Sequence, residues 1–188
     1  LARLESMIQL ANVEGIEDIG LQTNGRRLAY TNVVQRLVDA GVGRFEVSVH
    51  GVNQPTHDWV TRTPGSFRQA LRGLREVRSV GAEIVLHMVV LRSNFRQLRE
   101  MVQLAAKFRV RQLHLRFVVP EGWAGEEEKF PSLVPRYSLI QPELSVARAT
   151  ARRMGVSLLL HDFPDCLAGG QSSDLIREKA QWLGVEES

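Results

Sequence analysis

Residues 44–51 read Arg44-Phe45-Glu46-Val47-Ser48-Val49-His50-Gly51. Apolar and polar side chains alternate with a period of two, so on a strand Phe45, Val47 and Val49 take one face and Glu46, Ser48 and His50 the other. A polar row on a buried strand needs a reason, either structural hydrogen bonds or a ligand. A second apolar stretch, Leu21-Gln22-Thr23-Asn24-Gly25, ends in the same manner. Two strands that both finish in small polar residues point to one shared edge where a ligand sits.

Outward from that strand the chain alternates. Leu1, Leu4, Ile8 and Ala11 follow helical spacing over 1–14, a strand is expected at Ile16–Thr23, and Tyr30, Val33, Val34, Leu37 and Val38 stripe a helix that Gly41 stops. After the strand Phe45–Val49 a loop is expected from Val52 to Pro64. A helix follows with Ser66 as N-cap and Phe67, Ala70, Leu71, Leu74 and Val77 inward. The apolar run Ile84–Leu91 reads as a strand covered on both faces. Leu98, Met101, Val102 and Ala105 mark another helix, and Leu113–Val119 another strand. Residues 123–142 hold three prolines and Glu126-Glu127-Glu128, the longest expected loop. A helix striped by Leu144, Ala147, Ala151 and Met154, a fifth strand Val156–Leu160, and a last helix Ser173–Leu183 complete the pattern.

Strands separated by crossover helices pair in parallel with right-handed connections, which defines an α/β fold. The spacing of strand starts suits a barrel or a doubly wound sheet, and both bind ligands at the carboxyl ends of their strands. Those ends are Thr23-Asn24, Ser48/His50, Arg92-Ser93-Asn94, Pro120-Glu121-Gly122 and His161-Asp162. No glycine-rich phosphate loop follows any strand, so the barrel is favoured.

At 188 residues with 44% hydrophobic content the chain can bury a core of its own. The net charge of +3 comes from 24 Lys+Arg against 21 Asp+Glu, with the arginines spread over many helices, so they read as solvated faces more readily than as a nucleic-acid patch. One cysteine, Cys166, excludes an internal disulfide and an all-cysteine metal site built from these residues alone. No apolar run reaches the roughly 18 residues of a membrane span, and no signal-peptide pattern is present. A cytoplasmic protein is expected.

Five features in order then resemble one family: Thr23-Asn24-Gly25 after an apolar strand; Val47-Ser48-Val49-His50-Gly51 with His57-Asp58 after it; the Gly65-Ser66-Phe67 helix start; Val89-Val90 with Asn94; and Phe117 with Pro120-Glu121-Gly122. Together, over about Leu4 to Ala124, the chain resembles the radical S-adenosylmethionine superfamily. The resemblance implies a parallel-stranded partial TIM-type (β/α) barrel with S-adenosylmethionine and a [4Fe–4S] cluster at its mouth. It also implies reductive cleavage of the sulfonium to a 5′-deoxyadenosyl radical that removes hydrogen from a substrate carbon. A one-electron donor such as flavodoxin or ferredoxin is implied as partner, with a peptide, an RNA or a small metabolite as substrate.

The family's Cys-x3-Cys-x2-Cys motif and its Gly-Gly-Glu segment are absent from these residues. With a helix that opens in mid-phase at Leu1, the expectation is a barrel incomplete at its N-terminal side, the cluster ligands lying outside this chain and no metal ligand within it. Residues 1–161 are expected to form the partial core barrel and 162–188 an extension with a short helix. The cofactor-binding candidates are Thr23 and Asn24, placed by the resemblance beside S-adenosylmethionine, and Ser48, whose hydroxyl can donate and accept towards a ribose or carboxylate. His50, on the same face, is a candidate contact to cofactor or substrate. Arg92 could clamp a carboxylate, and Asn94 follows the same strand, with a helix cap by Ser93 or Asn94 as the structural alternative. No catalytic residue is assigned. His87 and Arg116 could point into the barrel or be satisfied core groups, His57-Asp58 reads as loop structure, and Cys166 reads as a buried thiol in a turn. Two rivals stand beside the radical enzyme. A cluster-less half-barrel could serve as a binding or scaffold protein. An aldolase-type barrel would want a lysine at a strand end, and Lys107, Lys129 and Lys179 are all elsewhere.

Overall fold

The computed structural model describes residues 1–119, 130–164, 167 and 175–176. Its strands are β1 (Ile19–Thr23), β2 (Val42–Ser48), β3 (Glu83–Val90), β4 (Gln112–Phe117), β5 (Ser157–His161) and β6 (Leu175–Ile176). They form one sheet in the order β1-β2-β3-β4-β5-β6, every pair parallel. Each strand lies beside the one before it, with no reversal of order, which is how a barrel winds and a doubly wound sheet does not. β1 does not pair with β6, so the barrel is partial and open.

The helices are α1 (Ala2–Val13), α2 (Val33–Ala40), α3 (Gln54–Thr61), α4 (Ser66–Ser79), α5 (Leu98–Lys107), α6 (Phe130–Leu133) and α7 (Tyr137–Met154). The alternation in β2 is realised as two faces. Phe45, Val47 and Val49 are fully buried and join Leu86, Met88, Leu113, Leu115 and Leu160 in a core closed by Leu37, Leu74, Met101 and Leu144 from the helices. Burying such a set is the main stabilising term of the fold, about 1.5–3 kcal/mol for each large apolar side chain. The opposite face of the sheet takes the polar residues of the strands together with Val85, Val89 and Leu159.

Four local expectations change. The expected loop Val52–Pro64 contains α3, which Asn53 caps by accepting from the Thr56 N–H, with Pro55 in the first turn where a missing N–H costs nothing. Ser66 is the first residue of α4 and Gly65 its cap position; the capping acceptor is Asp58, which takes the N–H groups of Gly65 and Phe67 and the Ser66 hydroxyl. Helix α7 starts inside the expected loop 123–142 and carries Pro142 in its second turn. Within the expected helix Ser173–Leu183, Leu175–Ile176 instead pair with Leu160 and His161, satisfying the edge of β5. The rest of that span, Pro120-Glu121-Gly122 and Cys166 lie outside the described residues.

Candidate active site

In a parallel sheet registered residues point to the same face, so the inner surface can be assembled from the pairing. Its first layer is Gln22, Glu46, Val85, Gln112 and Ser157; its second is Ser48, His87, His114 and Leu159; its third, nearest the carboxyl ends, holds Val89, Arg116 and His161, with His50 just past β2. Four of the chain's five histidines therefore stand on one face.

They form a connected array. Arg44 lies against Gly20, which has no side chain to block it, and donates to Asp18 at 3.1 Å and to Glu46 at 3.2 Å. The other Glu46 oxygen, Oε2, meets His87 Nε2 at 3.0 Å. A carboxylate only accepts, so His87 is held with Nε2 as donor. The His87 ring packs on His114 with centroids 4.5 Å apart, and His114 on His161 at 4.9 Å. His114 Nε2 faces Gln112 Oε1 at 3.4 Å, which leaves His114 Nδ1 to accept from His161 Nε2 at 3.1 Å. Arg116 donates to Asp162 at 2.7 Å. Both inner-face arginines are thus ion-paired.

At the mouth His50 is fixed from three sides. Its Nδ1 accepts from the Val89 N–H at 3.3 Å, its own N–H donates to His57 Nδ1 at 3.1 Å, and its carbonyl accepts from the Asn94 amide at 3.0 Å. His50 Nε2 has no hydrogen-bond partner among the described residues and is left as a donor. Gly51 permits the fold-back of α3, because a Cβ there would come within 2.9 Å of His57 N. Buried His57 is a prop beneath β2.

Burial sets the electrostatics. It holds His50 at about 4, with repulsion from His57 and His87 added, and His114 at about 4, with repulsion from His87 and His161 outweighing Glu46. Both are neutral near pH 7. Burial also lowers His57 against the opposing pull of Asp58. Asp58, which burial would raise, is held below the ordinary carboxylate range by its three hydrogen bonds and His57.

Of the six cofactor-binding candidates the structure brings Ser48 and His50 together on the inner face. Thr23 registers with Val47, so its side chain goes to the helix-covered side, where Oγ1 accepts from the Gly25 N–H. Asn24 stands exposed past β1 with Oδ1 accepting from the Arg26 N–H. Asn94 is buried, and its amide is spent on the main chain: Nδ2 on the His50 and Val89 carbonyls, Oδ1 on the Leu91 N–H. Arg92 turns to a separate cavity of about 810 Å³ with Phe95, Arg96, Arg136 and Tyr137, and donates to the Pro131 carbonyl. Among the described residues that cavity has no carboxylate or imidazole on its lining. The inner face therefore carries the stronger chemical argument. Sequence reasoning left His114 out, although the alternation Gln112, His114, Arg116 against Leu113, Leu115, Phe117 is the same signal that marks β2.

A [4Fe–4S] cluster needs several thiolates, and one cysteine in the chain does not fit it. Among the described residues no three His, Cys, Asp or Glu side chains are grouped to hold a metal ion. The Ser48 hydroxyl and the His50 Nε2–H do fit a polar organic ligand at the mouth.

Comparison with known proteins gives a match to the model of the Radical SAM superfamily over residues 1–105. A probable GTP 3′,8-cyclase of Pyrobaculum aerophilum is 32% identical over 85% of this chain and 50% of its own length. An AdoMet-dependent heme synthase of Methanosarcina barkeri is 31% identical over 58% of this chain and 31% of its own. The chain thus spans between about a third and a half of these curated relatives. Among solved structures, a domain of pyruvate-formate lyase-activating enzyme from Bacteroides vulgatus superposes with a TM-score of 0.61 at 12% identity, covering 85% of this chain and 89% of that one. Streptococcus suis SuiB superposes with a TM-score of 0.65 at 9% identity, covering 84% and 35%.

Proposed function

This chain belongs to the radical SAM superfamily, and from that premise we propose that it is the substrate-side part of the core barrel of an enzyme that uses S-adenosylmethionine and a [4Fe–4S] cluster to abstract hydrogen from a substrate carbon. The observation that carries the reading is the coincidence of the matched span, residues 1–105, with the strand ends where Ser48 and His50 share the inner face. Bound S-adenosylmethionine supplies the radical in this reading. The chain's own part is placement and water exclusion: Ser48 donates and accepts at the mouth, His50 presents Nε2–H, and the apolar core keeps both strands rigid. The cluster thiolates come from sequence outside these 188 residues.

The relatives' names favour a small metabolite over a peptide or an RNA as substrate. A reductant protein such as flavodoxin or ferredoxin would supply the electron. No helix among the described residues is long and apolar enough to cross a membrane, and the reading places the enzyme in the cytoplasm. The second reading is a cluster-less half-barrel that binds a ligand on the same face.

The test is anaerobic reconstitution of the full-length protein with iron and sulfide, followed by assay of 5′-deoxyadenosine under a strong reductant. Turnover that falls on Ser48→Ala supports the enzyme. A complete gene with no three-cysteine motif and no 5′-deoxyadenosine supports the binding protein.

A further inference from the structure

Arginines that stand far apart in the sequence are gathered by the fold along one rim of the barrel. The short 3-10 turn Arg27–Ala29 follows the carboxyl end of β1, and α4 begins after the segment that leaves the carboxyl end of β2, so both lie on that side of the sheet. Gly73 lets the turn region rest directly on α4, because a Cβ there would come within 2.6 Å of the Gly25 carbonyl. Between the two runs an open cavity of about 570 Å³, lined in part by Tyr30, Pro64, Arg68, Gln69 and Arg72. Gln69 Oε1 accepts from Arg26 Nε at 2.8 Å, which draws a third guanidinium to the same place.

Two further arginines on this rim are stacked on exposed aromatic rings. Arg27 lies over Tyr30 at 5.8 Å from the centroid and Arg62 over Trp59 at 4.7 Å, with Tyr30 56% and Trp59 45% exposed. A guanidinium laid flat on a ring is held in place with its planar N–H fork available to an oxyanion. The carboxylates of residues 24–75 are Asp39, Glu46 and Asp58, and each is engaged elsewhere. Asp39 accepts from Gln35, Glu46 meets Arg44 and His87 on the inner face, and Asp58 caps α4. Glu76, one turn beyond Arg72 on α4, makes no ion pair among the described residues. The rim is therefore positive without internal compensation. Trp, Tyr and Arg are also the residue types on which binding energy concentrates at protein interfaces.

We propose that this rim is the docking surface for an acidic segment of a partner protein. Carboxylates of the segment pair with Arg68, Arg72 and the two stacked guanidiniums, and an apolar side chain enters the cavity beside Tyr30 and Pro64. Charge complementarity sets the sign of the partner, and the mixed lining sets its kind. Single-stranded nucleic acid is bound by stacking bases on open aromatic faces, whereas here a guanidinium already covers one face of each exposed ring. The surface is separate from the inner face and does not depend on the radical reading.

The test uses the full-length protein and two fluorescein-labelled probes of equal net charge, a glutamate-rich peptide carrying leucines and a single-stranded oligouridylate, titrated by fluorescence anisotropy at low salt. The peptide is expected to bind more tightly than the oligouridylate. Its affinity should fall at least about tenfold in Arg68→Glu/Arg72→Glu and less than about twofold in Arg99→Glu/Lys107→Glu, an equal charge reversal on exposed positions of α5. On the unmutated protein, the peptide should slow amide hydrogen exchange in the turn Arg27–Ala29 and the first turns of α4. Absence of peptide binding, equal losses in the two double variants, or protection confined to other elements overturns the proposal. Tighter binding of the oligouridylate, lost in Arg68→Glu/Arg72→Glu, overturns the protein partner in favour of a nucleic acid.

Discussion

The side-chain amide of Asn94 donates to the main-chain carbonyl of His50 across 44 residues of sequence, at 3.0 Å. With Nδ2 also on the Val89 carbonyl and Oδ1 on the Leu91 N–H, one buried side chain ties the ends of β2 and β3 together. Asn94→Ala strands three main-chain groups without partners, and a loss of about 2–4 kcal/mol is expected at about 1–3 kcal/mol per buried group with partial rehydration. Asn94→Asp removes both donors and is expected to be no better. Thermal unfolding of the full-length protein measures both.

The glycines at the β1 turn make a second case. Gly73, in the middle of α4, lies where a Cβ would come within 2.6 Å of the Gly25 carbonyl, and a Cβ on Gly25, at φ +73°, would come within 2.7 Å of Val47 Cγ1. Helix propensity alone would make Gly73→Ala stabilising by about 1 kcal/mol. The contact should reverse the sign and leave a net loss of about 1–2 kcal/mol. A rise in melting temperature would show that α4 can shift away from the turn.

Much of this was legible beforehand. The period-two pattern of residues 44–50 placed Glu46, Ser48 and His50 on one face, and the order of elements pointed to a parallel barrel. What escaped were features set by a single residue of register or by distant partners. Thr23 and Ser48 both stand at strand ends, but the pairing of Thr23 with Val47 sends its side chain to the helices, since one step along a strand changes the face. Helix α3 carries its start signals in Asn53 and Pro55 but only a short apolar stripe, so periodicity did not reveal it. The partners of Asn94 are main-chain groups, which leave no trace in the side-chain pattern.

The neutral histidines fix a pH dependence. His50 and His114 sit at about 4 in the folded chain, below the ordinary value near 6.5, so between these limits the unfolded chain binds protons that the folded one refuses. Stability therefore rises with pH through that window and is lost as pH falls from about 6.5 towards 4. His57, lowered by burial, acts in the same direction. Urea midpoints of the full-length protein should drop between pH 7 and pH 5, and less steeply in His50→Gln. An imidazole NMR signal of His114 that titrates near pH 6.5 would remove the basis for this.

The last expectation concerns these 188 residues expressed alone. A single cysteine cannot hold a [4Fe–4S] cluster, so no 5′-deoxyadenosine should form even under a strong reductant. Folding physics adds a second handicap. β1 has no strand on its outer side among the described residues, and beside it α1 and the following turn expose Met7 at 61%, Leu10 at 61%, Val13 at 81% and Ile16 at 53%. An unpaired parallel strand next to an apolar helix face is a template for association. The isolated chain should therefore run as oligomers or precipitate in size-exclusion chromatography at micromolar concentration. Substituting Leu10 and Val13 with lysine should reduce that association without restoring activity, because the exposed surface and the missing thiolates are independent defects. A monodisperse, cluster-bearing monomer with turnover would overturn both halves of the expectation and direct attention to ligands other than thiolates on the inner face.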